Sequence, residues 1–274
     1  MFPKQSGALL RRRALAGLLL LAGHSFAGQA GGLYLVSVGI GDPDNITVRA
    51  QKIIQQADIV FGMQRLRERL PELLAGKEMH EAGHGLFGTL SRRDAPDDKL
   101  REQEAETRRI IRAAVQAGKT VAVIDYGDPT LYGPQIGYLR EFSDLNPVVV
   151  PGISSFNAAN AALGRSITSG GESRSVILTA AAGMRENYQG RDTLAKLAET
   201  RSTLVFFTMG MNLPEAVDQL KRHYPGDTPI AIVSHAGAAD RQAVLQATLD
   251  TVLERLGGDK LPFEHLIYVG DFLR

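Results

Sequence analysis

Short apolar runs alternate with segments of helical periodicity from residue 33 to the end of the chain, and this alternation restricts the fold more than any other feature. Leu33 to Val38 reads as a strand, Ala50, Ile53, Ile54 and Ala57 as one helix face, and Asp58 to Phe61 as the next strand. Such a succession is satisfied most economically by a parallel sheet with helices packed on it. Residues 96–117, apolar at Ile110, Ile111, Ala114 and Val115, predict an amphipathic helix stopped at Gly118 and feeding the strand Val121 to Ile124. After Pro151 the alternation resumes. Helices are expected over Ser154 to Leu163, Thr193 to Ala198, Pro214 to His223 and Leu249 to Leu256. Strands are expected over Ser175 to Thr179, Thr203 to Phe207, Pro229 to Val233, Gln242 to Thr248 and His265 to Val269. The fold class is α/β, with two α/β domains of mixed, largely parallel sheets, residues 31–147 and 148–274, divided near Asn146-Pro147.

Three loops rich in glycine and proline leave strand ends. They are Gly39-Ile40-Gly41-Asp42-Pro43, Asp125-Tyr126-Gly127-Asp128-Pro129-Thr130-Leu131-Tyr132-Gly133, and Pro151-Gly152-Ile153-Ser154-Ser155 after the apolar run Val148 to Val150. In an open α/β sheet the crevice outside the carboxyl ends of the strands is where small ligands settle. The first loop is not a dinucleotide fingerprint, because Asp42-Pro43 stands where a third glycine and a helix start are needed, and it is not a Walker loop.

Composition narrows the partners. The chain has 31 Lys and Arg against 30 Asp and Glu, so no clustered basic field marks it for nucleic acid. It contains no cysteine, which excludes a disulfide framework, a thiolate nucleophile and a Cys-ligated metal. Residues 1–30 carry Lys4, Arg11, Arg12 and Arg13 and no acid, then an apolar run from Ala14 to Ala22, then small residues around Ser25, Ala27 and Ala30. That order is expected of a secretory signal peptide or an N-terminal anchor and implies a periplasmic or membrane-anchored protein. A misassigned start leaves the cytoplasm as the alternative. The apolar run is shorter than the about 20 residues that cross a bilayer, so no stable membrane span is expected in the mature domain. Without the segment, 27 basic residues face 30 acidic ones, and the remaining domain is mildly acidic.

Leu33-Tyr34-Leu35-Val36-Ser37-Val38-Gly39-Ile40-Gly41-Asp42-Pro43 leads to Thr47, then to Gln55 through Phe61, Gly127 through Gly133, Val150 through Ser155, Thr203 through Pro214 and Pro229 through Val233. In this order the segments resemble the tetrapyrrole (corrin/porphyrin) methylase family over residues 32–272. The resemblance implies an S-adenosylmethionine-dependent methyltransferase acting on a ring carbon of a tetrapyrrole, a homodimer, and a cofactor cleft between the two domains. By position it implies cofactor contacts from Ile40, Tyr126, Gly127, Asp128 and Leu131, from Ser154 and Ser155, and from Met209 and Ala236. Ile40 replaces the family's loop proline and Ser37 a family glycine. Taken alone, Met209 reads as core, Ser154 as a helix N-cap, and Asp128 as a brace for its own turn. Ser175 through Met184 is similar to the second-domain strand of the precorrin-4 and cobalt-precorrin-4 C11-methylase branch.

A sulfonium methyl is already activated, so alignment is the main demand, and it contributes up to about 7–11 kcal/mol. A base working near neutrality helps remove a ring proton. His80 and His84, in Lys77-Glu78-Met79-His80-Glu81-Ala82-Gly83-His84, are the acid/base candidates; the bland alternative is a pair of surface-loop histidines. Glycines on both sides of His84 spoil the helix that i, i+4 metal ligation needs, and no metal is expected. Tetrapyrrole precursors carry carboxylates that guanidinium groups recognise by forked hydrogen bonds, which makes Arg92 and Arg93 the substrate-binding candidates; otherwise they are a solvated pair opening a helix. An exported protein is separated from a cytoplasmic cofactor. That conflict leaves two alternatives open, an exported tetrapyrrole-binding or carrier protein without turnover, and a diphthamide-type methylase.

Overall fold

The computed structural model describes residues 31–88, 97–169, 173–180, 188–208 and 211–274. The predicted N-terminal signal, Arg92, Arg93 and Met209 lie outside the described residues.

The first half runs β1 (Gly32–Ser37), α1 (Val48–Gln56), β2 (Ile59–Gly62), α2 (Arg65–Arg69), β3 (Glu78–Glu81), α3 (Asp97–Gln116), β4 (Thr120–Asp125), α4 (Gly137–Glu141) and β5 (Val148–Val150). α1 starts where Thr47 accepts a hydrogen bond from the Ala50 N–H at 3.2 Å, a side-chain cap for a donor that the helix leaves unpaired. The five strands form one parallel sheet in the order β3-β2-β4-β1-β5. Alternate residues of β1 face opposite sides. Tyr34 and Val36 pack with Ile53 and Ile54 of α1, whereas Leu33 and Leu35 pack with Ile111 of α3 and with Tyr138 of α4. A strand buried on both faces needs the continuous apolar run that β1 has, and each fully buried Leu, Ile or Phe contributes about 1.5–3 kcal/mol.

β1 and β4 are neighbours, yet the helix after β1 covers one face and the helix after β4 the other. This is the point at which the winding reverses, and the connections leaving it diverge to open a crevice at the carboxyl ends of the two strands.

The second half runs α5 (Ser155–Leu163), β6 (Val176–Ala180), α6 (Leu194–Glu199), β7 (Thr203–Phe207), α7 (Leu213–Leu220), β8 (Pro229–Ser234), β9 (Ala243–Thr248), α8 (Val252–Leu256) and β10 (His265–Val269). Its sheet has the order β6-β7-β10-β8-β9, in which β6 and β7 are parallel and β10 runs antiparallel to both β7 and β8, as β9 does to β8. Phe206, Ile232 and Ile267 pack on α6 and α7, while Val205, Val233 and Tyr268 pack on α5.

Two expectations change. β5, placed by the reading at the head of the second domain, pairs in parallel with β1, Tyr34 opposite Val148 and Val36 opposite Val150. The chain therefore passes between the sheets after Val150, not at Pro147. Glu78–Glu81, read as a loop, is the edge strand β3, held by parallel pairing with β2; its alternation is too short and too charged to stand out in sequence.

Candidate functional site

At the carboxyl ends of β1 and β4 the chain knits its loops together through backbone. The Val38 N–H donates to the Asp125 carbonyl at 2.8 Å and the Gly127 N–H to the Gly39 carbonyl at 2.9 Å. Gly39 and Gly127 have φ of 67° and 63°, left-handed values open to glycine at no steric cost. Ser37, at the position of a family glycine, joins this weave. Its hydroxyl donates to the Gly127 carbonyl and accepts from the Gly39 N–H at 3.0 Å. The turn after β5 comes so close that a Cβ on Gly152 would sit 1.8 Å from the Ser37 Oγ.

Asp128 binds its own surroundings. One carboxylate oxygen accepts from the Thr130 N–H at 2.8 Å and the Thr130 hydroxyl at 2.5 Å, and the other from the Gly152 N–H at 3.2 Å. Burial alone would raise its pKa, but the hydrogen bonds from Thr130 and Gly152 outweigh it and hold the carboxyl below its ordinary range. Its neighbour Asp125 is fully buried and accepts from the Tyr126 and Gln135 N–H groups. There burial wins over the two backbone bonds, and the pKa is raised to about 7.

These loops face the second sheet across a cleft of about 220 Å³. Ile40, Tyr126, Gly127, Asp128 and Leu131 line it from the first half. Ser154 and Ser155, at the turn between the sheets, and Ala236, after β8, line it as well. His84 joins them from the loop after β3. His80 is not in that lining; it stacks on Phe61 with ring centroids 5.1 Å apart and its Nε2 lies 2.8 Å from the Glu78 Oε1. The two histidines do not converge, because β3 directs the first back along the sheet edge and only the following turn reaches the cleft. Ser154 caps α5, accepting from the Asn157 N–H at 3.2 Å and donating to the Asn157 side chain at 2.7 Å.

Further residues escaped the reading. Phe207, Thr208 and His235 end β7 and β8, while Glu264, His265 and Leu266 come from the start of β10. Because β10 is antiparallel, its amino end lies beside the carboxyl ends of β7 and β8, with His265 opposite Ser234 and Leu266 opposite Phe207. A search confined to carboxyl ends passes over it. His235, at φ 49°, has its Nδ1 3.1 Å from the Glu264 carboxylate, which accepts, and the Tyr132 ring reaches across to Phe207 with ring centroids 4.5 Å apart.

A second contact joins the halves. The Asp42 N–H donates to the Gly237 carbonyl at 2.8 Å, and the Asp42 carboxylate accepts from the Ala239 N–H at 2.8 Å. Asn45 donates to the carbonyls of Ile40 and Gly237 at 2.8 and 2.9 Å. A Cβ on Gly41 would lie 2.0 Å from the Gly237 carbonyl carbon.

Comparison with known proteins agrees with this geometry. The family model for Tetrapyrrole (Corrin/Porphyrin) Methylases matches residues 32–253. The precorrin-4 C(11)-methyltransferase of Pseudomonas aeruginosa is 31% identical over 247 residues, 88% of this chain and 90% of that protein. The solved structure of a cobalt precorrin-4 methyltransferase superposes with a TM-score of 0.69 at 25% identity, covering 89% of this chain and 96% of that one. A uroporphyrin-III C-methyl transferase from Thermus thermophilus, solved in complex with S-adenyl homocysteine, shares the fold at a TM-score of 0.62 and 23% identity, over 89% of this chain and 99% of that one. With a match that runs from β1 into α8 and takes in all three loops of the first half's cleft wall, the chain belongs to the tetrapyrrole (corrin/porphyrin) methylases.

Proposed function

We propose that this chain is an S-adenosylmethionine-dependent methyltransferase acting on a ring carbon of a precorrin-like tetrapyrrole. The observation that carries the reading is the cleft itself, whose lining gathers Ile40, Tyr126, Gly127, Asp128, Leu131 and Ala236 from two sheets in a member of this family. When bound, the cofactor supplies an activated methyl group on a sulfonium, which a nucleophilic carbon takes directly. The lining fits such a cation. Asp128 is held ionised by Thr130 and Gly152, and Leu131, Val233 and Leu266 present apolar surface for the remainder of the ligand. Gly39 and Gly127 let backbone approach without a Cβ, and their mutual hydrogen bond fixes the loop spacing on which alignment depends. Ser155 offers a hydroxyl whose acceptor and donor capacity no other described residue takes up. His84 is the acid/base residue of this proposal, because it lies in the cleft lining, whereas His80 does not. Met209 stays in the proposal by the resemblance, and Arg92 and Arg93 by the match of guanidinium groups to the carboxylates of such a substrate.

Calorimetric titration with S-adenosylmethionine, followed by transfer of a labelled methyl group to candidate tetrapyrroles, tests the reading. Tight binding and labelled product are expected; absence of binding by the purified protein would sink it. The basic-then-apolar segment at residues 1–30 favours a second reading, an exported protein that binds tetrapyrrole without turnover. N-terminal sequencing of protein from fractionated cells separates the two. We further propose two domains joined after Val150 and a homodimer, the latter testable by light scattering of the eluted protein. Among the described residues no helix is long and apolar enough to cross a membrane.

A further inference from the structure

We propose that Arg65 of α2, which packs with Arg69 on the ring of Tyr126, binds a carboxylate of the substrate and so fixes how it enters the cleft. This inference rests on the tetrapyrrole reading above. Arg65 and Arg69 are four residues apart and share a helix face. Their guanidinium carbons lie 5.0 and 5.1 Å from the Tyr126 ring centroid. A guanidinium laid against an aromatic ring has its face covered while its in-plane N–H donors remain free for a forked acceptor.

Those donors lack an acid. Among the described residues no carboxylate pairs with either arginine; the hydrogen bond of Arg65 goes to the Met63 sulfur at 3.8 Å, and Arg69 has a buried Nη2 with no partner. By contrast Arg101, Arg108, Arg109 and Arg112 of α3 each hold a carboxylate. An unpaired buried donor on a cation is costly, and native structures rarely leave one without a purpose. Arg65, Tyr126, Met63 and His84 line one stretch of the cleft, and Arg69, with its Nη2 buried, stands outside that lining. The two acids in the lining are both engaged, Asp128 by Thr130 and Gly152 and Glu264 by His235. Arg65 is therefore the charged group of the lining whose donors meet no oxygen acceptor among the described residues, and a planar two-oxygen anion matches its fork.

The test uses two porphyrin probes, uroporphyrin I with eight carboxylates and coproporphyrin I with four, titrated by fluorescence against the full chain. The wild-type protein is expected to bind uroporphyrin more tightly. Arg65→Gln with Arg69→Gln should weaken uroporphyrin at least tenfold and shrink the preference between the probes. Arg65→Lys with Arg69→Lys, which keeps the charge and loses the fork, should recover only part of the loss. Arg65→Gln alone, at an exposed position, supplies the same comparison should the double variant fail to fold. Porphyrin binding that is unchanged in these variants overturns the carboxylate site and leaves the tetrapyrrole reading standing. No porphyrin binding by the wild-type protein overturns both.

Discussion

Two adjacent acids on one loop, Asp125 and Asp128, titrate in opposite senses because one is sealed and the other is braced. Asp125 has a folded-state pKa of about 7, above the ordinary carboxylate value near 3.9, so the folded protein holds its proton where the unfolded chain has released it. Stability from this group is fully present below about pH 4 and is lost as pH rises through about 7. Asp128 has a lowered pKa, so its contribution is present above the ordinary range and is lost as pH falls below it. Urea denaturation at a series of pH values should give a fall in unfolding free energy between about pH 4 and about pH 7, and Asp125→Asn should flatten it. That variant also opposes an amide donor to a backbone N–H, at a cost of about 1–3 kcal/mol. Asp128→Ala removes acceptors from Thr130 and Gly152 at once. It is expected to lower both melting temperature and affinity for S-adenosylmethionine, the latter at least tenfold by calorimetry; unchanged affinity would reduce Asp128 to a turn brace.

Helix α5 opens on two serines of the cleft lining, of which Ser154 has a hydrogen-bond partner in the helix. The Ser154 hydroxyl is spent on Asn157, so Ser154→Ala should cost about 1 kcal/mol in denaturant unfolding and change cofactor affinity little. Ser155 lines the cleft without such a bond, so Ser155→Ala should do the reverse. The elements that could be read from sequence were those whose burial follows a simple period. β1, with apolar residues toward helices on both faces, and α1, with Ala50, Ile53 and Ile54 inward, announce themselves. So did the three glycine loops, because left-handed backbone at Gly39 and Gly127 demands that residue. β3 did not, because Glu78, Met79, His80 and Glu81 owe their conformation to the pairing with β2. Nor did Glu264 and His265, whose place in the cleft depends on β10 running against its neighbours, a fact of strand order that local pattern does not encode. The unpaired Arg65 was equally hidden, since only the fold shows which arginines have found acids.

The two halves are joined along the chain after Val150 and through space, by the Tyr132 ring against Phe207 and where the loop after β1 meets the loop after β8. Gly41 and Gly237 both have left-handed backbone, with φ of 70° and 79°, and no side chain fits between them. Gly41→Ala is expected to push the halves apart, weakening S-adenosylmethionine binding by more than tenfold and giving two thermal transitions in calorimetry where the parent protein is expected to give one; an unchanged melting profile would show that the contact is not what holds them. Because main chain meets main chain at this stitch, with Asp42 and Asn45 fastening it from the side, the distance between the cleft walls is insulated from changes in the residues that line them. A wall residue such as Ile40 can therefore be exchanged for one that suits another ring substrate while the gap that the substrate must enter keeps its width.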